Sequence, residues 1–356
     1  MMYYARKLPL LRDLVTQVFV SPEVAIVGSV HRENVGDMAL SASIAYVLTS
    51  EGVRWGMQLL GEGTLGLAKW PRGQGKAIVA GGALGREARI RLLVEKYRDD
   101  PSQVAIVGIS LWSENDLSES STSFLKSVGF VSCRNRRDVK TLAGMGVDGA
   151  TFAYDNAFAL PTKMYAKSKK RLGINAVSRD MTWNGHEYTP TKENEVTESF
   201  GPAYARSLQQ IARTYLERGW NVVHVPFTKE DERFAEWVFK DMPVALRPYN
   251  YRVEPTYRAV AQCSRFVGTR YHAHIFALKS QVPLLSFSYA SKCTLLKQNL
   301  GIPDDMQATR LQVAQDENNV VERFSGETGF VLPEEQVVRI ENSVRDNIRT
   351  ALRAIS

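Results

Sequence analysis

Cysteine, histidine and long apolar runs are all scarce in this chain. Among 356 residues there are three cysteines (Cys133, Cys263 and Cys293), with no CxxC spacing and no even set to pair. That excludes a disulfide framework and a paired-cysteine metal site, and it implies a reducing cytoplasm. No run approaches the ~18 apolar residues a membrane-spanning helix needs. HExxH, a P-loop and a complete GxGxxG are all missing. No recognition helix, zinc finger or aromatic RNA-binding signature is present, so no nucleic-acid partner is expected. What remains is ordinary globular composition, 44% hydrophobic and 23% charged. The net charge of +7 suits an anionic substrate, a negative membrane surface or plain solubility.

The pattern is that of an α/β protein. Val24 to Val27, Ala77 to Ala80 and Val104 to Val107 are short apolar runs without alternation, each followed by glycine (Gly28, Gly81-Gly82, Gly108). Such runs separated by helices predict parallel strands covered on both faces. After the first strand, Asp37 is the expected N-cap of a helix with a stripe of Leu40, Ile44, Val47 and Leu48, stopped by Gly52. A second series follows the basic linker Pro161 to Arg171: strands at Arg171 to Asn175, Asn221 to Val225, Ser264 to Val267 and Pro283 to Phe287, with a helix from Ala203 to Arg218. Met181 to Phe200, polar and aperiodic, is expected to be a loop over the cleft. Two Rossmann-like domains facing across a cleft follow, residues 1–162 and 163–332, with a final helix over 333–356 returning to the first domain. The N-terminal segment, apolar at Leu8, Leu11, Leu14 and Val18, is expected to pack on the first domain, with shallow membrane association as the alternative. It lacks an uninterrupted apolar core and a small-residue cleavage site, so a secretion signal is not expected from it.

Ligands of open α/β sheets collect outside the carboxyl ends of strands, where helix N-termini present open N–H groups to anions. In GTRYHAHIFALKSQVPLLSFSYASK (Gly268 to Lys292), Arg270 and His272 stand where a strand gives way to a helix, and Lys292 follows the next strand. A guanidinium fork grips carboxylate or phosphate, and histidine transfers protons near neutral pH. His274, two positions on, points elsewhere and is expected to support or pack. Arg134 ends a strand beside Arg136 and Arg137, which are expected to be solvated. Asn34, Asp37, Asp155 and Asn156 sit at strand ends or turns and are candidate acceptor or cleft contacts; capping and turn roles are the alternatives. Arg179 and Asp231 follow the first two strands of the second domain and face the same cleft.

Four blocks together resemble the polysaccharide pyruvyl transferase family. They are NVGDMALSASIAYVL (Asn34 to Leu48), IVAGGALG (Ile78 to Gly85), VSCRNRRDVKTLAGMGV with YDNAF (Val131 to Phe158), and the Gly268 to Lys292 block. Two departures stand out: Ala83 replaces a third glycine, and IVGISLW (Ile106 to Trp112) lacks the usual second glycine and proline. Both bear on the acceptor side. The resemblance implies a fold like the GT-B glycosyltransferases. It implies transfer of pyruvate from phosphoenolpyruvate onto sugar hydroxyls as a ketal, in exopolysaccharide or cell-surface polysaccharide biosynthesis. Carried over by motif, His272 is the catalytic residue and Arg134, Arg270 and Lys292 bind the donor. Neither metal nor other cofactor is required, phosphoenolpyruvate being a co-substrate. The acceptor would be a saccharide, lipid-linked or free, met in the cytoplasm or at the inner face of the membrane. A nucleotide-sugar glycosyltransferase, with Arg270 and Lys292 on a diphosphate, is the alternative enzyme. A non-catalytic carbohydrate-binding protein is the third class, against which the joint presence of Arg, His and Lys argues.

Overall fold

A computed structural model describes residues 22–28, 34–59, 75–111, 117–162, 165–326 and 328–356. The N-terminal segment with Leu8 to Val18, part of the linker and Trp112 lie outside the described residues. The chain divides into two compact units, Met1–Pro161 with Val338–Ser356, and Thr162–Val337. The second division falls inside the last helix rather than ahead of it.

In the first unit, strands β1 (Val24–Gly28), β2 (Trp55–Leu59), β3 (Lys76–Gly85), β4 (Val104–Leu111), β5 (Phe130–Cys133) and β6 (Thr151–Phe152) form one parallel sheet, ordered β2-β1-β3-β4-β5-β6. Helices α1 (Val35–Ser50), α2 (Glu87–Tyr97), α3 (Glu119–Ser127) and α4 (Arg136–Gly144) connect them. Leu40, Ile44, Val47 and Leu48 of α1 are all buried, as their spacing predicts. The cap differs from expectation: Asn34, not Asp37, stands at N-cap and accepts from Gly36 N at 2.9 Å. Asp37 falls inside the first turn, where its charge still favours the helix N-terminus. Gly81 is required by packing, because a Cβ there would lie 2.3 Å from the Gly108 backbone on β4.

In the second unit, β7 (Arg171–Ile174), β10 (Asn221–His224), β11 (Ala245–Leu246), β12 (Arg265–Gly268), β13 (Leu284–Ser288) and β14 (Gln307–Thr309) form a second parallel sheet, ordered β11-β10-β7-β12-β13-β14. The helices are α5 (Glu195–Glu217), α6 (Lys229–Val238), α7 (Val253–Ala261), α8 (Tyr271–Lys279), α9 (Ser291–Leu300), α10 (Arg310–Gln315) and α11 (Glu317–Ser325). Its core joins Leu172, Ile174, Tyr204, Phe234, Phe287 and Phe324. Each such side chain contributes roughly 1.5–3 kcal/mol by burial. The last helix, α12 (Glu334–Ala354), buries Ile340, Val344 and Ile348. From Val338 onward it belongs to the first unit, where Asn347 donates to Ser132 Oγ and Arg349 pairs with Glu51.

Met181 to Phe200 is not a loop. It forms an antiparallel hairpin, β8 (Met181–Trp183) with β9 (Tyr188–Pro190), and then the first turns of α5. Asn184 Oδ1 closes the hairpin turn by accepting from His186 N and Glu187 N. Asn194 and Thr197 make a reciprocal capping box that starts α5 eight residues before Ala203, the expected start. Pro202 is accommodated within that helix. Local polar bonding, invisible to apolar periodicity, decides this stretch.

Candidate functional site

Both sheets have a point where strand order reverses, and in open sheets that point is where ligands sit. In the second unit it lies between β7 and β12. There Asn175, just past β7, accepts from Arg270 N at 2.9 Å, joining the two strand ends directly. Thr269, fully buried beside Arg270, shares a 2.7 Å hydrogen bond with Tyr204, which anchors this strand end to α5.

Arg270 meets a buried carboxylate. Its Nε donates to Asp231 Oδ2 at 2.7 Å, and its Nη2 donates to Asp231 Oδ1 at 2.6 Å and to Thr228 Oγ1 at 3.0 Å. Asp231 is held from behind by Phe227 N and Asn175 Nδ2. Burial alone would lower the guanidinium's pKa, but the Asp231 carboxylate overrides it and holds the value above the ordinary arginine range. The Nη1 edge takes none of these bonds, and the side chain keeps 17% of its exposure. The guanidinium is therefore oriented from one side and open on another.

His272 lies in the first turn of α8 at 8% exposure, edge-on to the Tyr271 ring at 5.2 Å. Lys292 Nζ lies 5.3 Å from the Tyr289 ring centroid and 5.9 Å from that of Tyr271. Arg179 approaches the same Tyr289 ring, at 5.8 Å. Tyr289 is thus the hub of a cationic group gathered at the carboxyl ends of β7, β12 and β13. Neither α8 nor α9 has a side-chain N-cap, and both helices begin at this end of the sheet. His274 is interior: its Nε2 lies 2.9 Å from Gly268 O, which it can serve as donor. Burial first, then the nearby Lys292 and His272 charges, push its pKa down to about 4. It is a neutral support, and Gly268 must be glycine because a Cβ would sit 2.7 Å from that ring.

In the first unit the reversal lies between β1 and β3, and the arginine sits elsewhere, past the end of β5, in a closed setting. Arg134 is 3% exposed, with Nη1 on Asp155 Oδ2 at 2.7 Å and Nε on Ser110 Oγ at 2.7 Å. Asp155 also caps the following turn through Ala157 N, and Asn156 Nδ2 donates to Val107 O. Asp155 and Asn156 are buried, Asn34 caps α1, and Asp37 is half-buried. The structure therefore brings together Arg179, Arg270, His272 and Lys292 in the second unit, and Arg134, Asp155 and Asn156 in the interior of the first. Sequence reasoning missed Asn175 and Thr228; the signals were a strand ending in Asn at the reversal point and a Thr three residues before an acid. Among the described residues no cluster of His, Cys, Asp or Glu could hold a metal, and no helix is long and apolar enough to cross a membrane.

A GT-B-like fold, with one parallel sheet in each of two Rossmann-like units, is also what structural comparison returns. UDP-GlcNAc 2-epimerase from Neisseria meningitidis bound to UDP-GlcNAc superposes with TM-score 0.54 at 10% identity, covering 93% of this chain and 99% of that one. UDP-GlcNAc 2-epimerase from Methanocaldococcus jannaschii gives 0.55 at 10% identity, with the same coverage of 93% and 99%. At such identities the likeness is one of fold alone. No curated protein matches by sequence. The polysaccharide pyruvyl transferase family matches residues 34–291, and this chain belongs to that family.

Proposed function

We propose that this protein is a ketal pyruvyltransferase that moves pyruvate from phosphoenolpyruvate onto a pair of sugar hydroxyls during exopolysaccharide or cell-surface polysaccharide biosynthesis. The observation that carries the reading is the placement of Arg270, His272 and Lys292 just past the carboxyl ends of β12 and β13, with Tyr289 beside Arg270 and Lys292. Phosphoenolpyruvate carries a carboxylate and a phosphate, which need at least two cationic groups. Arg270, held by Asp231, offers its open edge to one oxyanion, and Lys292 neutralises the phosphate as it leaves. Arg134, closed onto Asp155, supports the strand ends of the first unit in this reading.

The chemistry balances in two steps. His272 delivers a proton to C3 of the enol while one acceptor hydroxyl adds to C2. Loss of that hydroxyl's proton restores the histidine. A second hydroxyl then forms the other C–O bond at C2, the bond to phosphate breaks, and the second proton leaves with phosphate or solvent. No metal is needed for either step.

The experiment is to supply phosphoenolpyruvate with polysaccharide precursors from the host and follow inorganic phosphate and the acetal-carbon NMR signal of a pyruvate ketal. Release of phosphate together with that signal supports the reading. Turnover with nucleotide sugars but not with phosphoenolpyruvate would replace it with sugar transfer.

A further inference from the structure

The β8–β9 hairpin and the start of α6 enclose a groove of about 470 Å³ in the second unit. This falls within the roughly 300–1,000 Å³ of small-ligand sites. Its apolar wall is Met181, Trp183 and Tyr188, and its polar wall is Lys229, Glu230 and Arg233. Trp183 is 36% exposed although it belongs to a packed aromatic row, with its ring 5.1 Å from Tyr188 and Tyr188 5.0 Å from Phe234. The row holds the indole in place while one part of it faces solvent. Its surface offers a flat apolar face and a single N–H donor. The charges opposite nearly cancel, because Lys229 is paired with Glu232 at 2.7 Å, which leaves Glu230 against Arg233. A rigid aromatic floor beside a balanced rim of donors and acceptors suits a pyranose ring, whose C–H face is apolar and whose hydroxyls ring its edge.

The groove also adjoins the cationic group. Thr228 bonds Arg270, and its neighbour Lys229 lines the groove. Ser178 Oγ donates to Glu230 at 2.5 Å, and the next residue, Arg179, reaches Tyr289. We propose that this groove is a saccharide subsite that seats a neutral pyranose unit of the acceptor on Trp183, beside the donor site. As an acceptor subsite it rests on the pyruvyl-transfer reading; as a saccharide site it stands by itself.

The test uses the ¹⁵N-labelled full chain, with the Trp183 indole signal identified by its loss in Trp183→Phe. Methyl β-D-galactopyranoside, methyl β-D-glucopyranoside and methyl N-acetyl-β-D-glucosaminide are titrated at millimolar concentrations, with phosphoenolpyruvate in a separate arm. At least one glycoside should shift the Trp183 signal saturably, and Trp183→Ala should weaken that glycoside about tenfold. Glycoside shifts that leave Trp183 unmoved, or no shift with any glycoside, overturn the subsite. If phosphoenolpyruvate perturbs nothing while a glycoside moves Trp183, the saccharide site stands and the donor reading fails. If phosphoenolpyruvate binds and Trp183 never responds, the donor reading stands and the subsite fails.

Discussion

Arg134 with Asp155 in the first unit and Arg270 with Asp231 in the second each join an arginine to a buried aspartate past the carboxyl end of a strand, and the two pairs differ in what is left open. Arg134 with Asp155 is sealed, at 3% and 0% side-chain exposure. Arg270 with Asp231 keeps 17% on the arginine. A sealed pair offsets its own desolvation and props strand ends. A pair open on the guanidinium side is an aimed cation. His272, Lys292, Arg179 and Tyr289 surround the open pair, whereas Ser110, Asn135 and Asp138 extend the sealed one as an internal network. The same two residue types therefore make a sealed pair in one unit and a proposed binding group in the other.

The largest expected effect lies in the open region. His272→Gln should lower turnover about 10²-fold or more, the usual scale for a lost general acid or base. Melting and donor affinity should change little, and equal rates in the variant would remove His272 from the chemistry. In the sealed region the effect should fall on stability. Arg134→Ala strands Asp155 and should cost about 3–5 kcal/mol in urea denaturation, largely restored by adding Asp155→Leu. A loss below about 1 kcal/mol would mean that Arg134 is not the support described.

Arg270→Lys separates binding from support. A lysine cannot reproduce the fork, so donor affinity should fall by about 1.5–3 kcal/mol, roughly tenfold to a hundredfold in the dissociation constant by calorimetry. Unchanged affinity would assign Arg270 to structure alone. The smallest effect concerns pH. His224 and His274, both in the second unit, are held neutral, each pushed by burial down to about 4. Unfolded histidine takes a proton near 6.5 and these two do not, so the unfolded state binds more protons between those values. Stability is full above about pH 6.5 and is lost as pH falls toward 4, on the order of 1 kcal/mol for the pair between pH 7 and 6. Denaturation midpoints that rise on acidification across that window would contradict it.

Much of this was legible from residue order. Apolar runs, glycine-punctuated in the first half, gave both parallel sheets, and the stripe on α1 was placed correctly. Arg270, His272 and Lys292 could be put at strand ends because strand, turn and helix signals coincide there. Partners were a different matter. Arg134 lies 21 positions from Asp155, and Arg270 lies 39 from Asp231. Neither pairing has a local signal, so whether an arginine faces ligand or carboxylate could not be read. The β8–β9 hairpin was missed for a related reason. Its three-residue strands are too short for alternation to register, and its stability comes from Asn184 bonding and Tyr188 packing on Phe234.

The central claim, an anionic three-carbon donor held by the open arginine region, is tested most directly by titrating phosphoenolpyruvate into the full chain in a calorimeter. Wild type, Arg270→Lys and Lys292→Ala are compared, with UDP-sugars as the competing ligands. The account predicts saturable binding of phosphoenolpyruvate to wild type, weakened in both variants, and no tighter binding of any UDP-sugar. Phosphoenolpyruvate binding that is absent, or indifferent to both substitutions while a UDP-sugar binds more tightly, would contradict it.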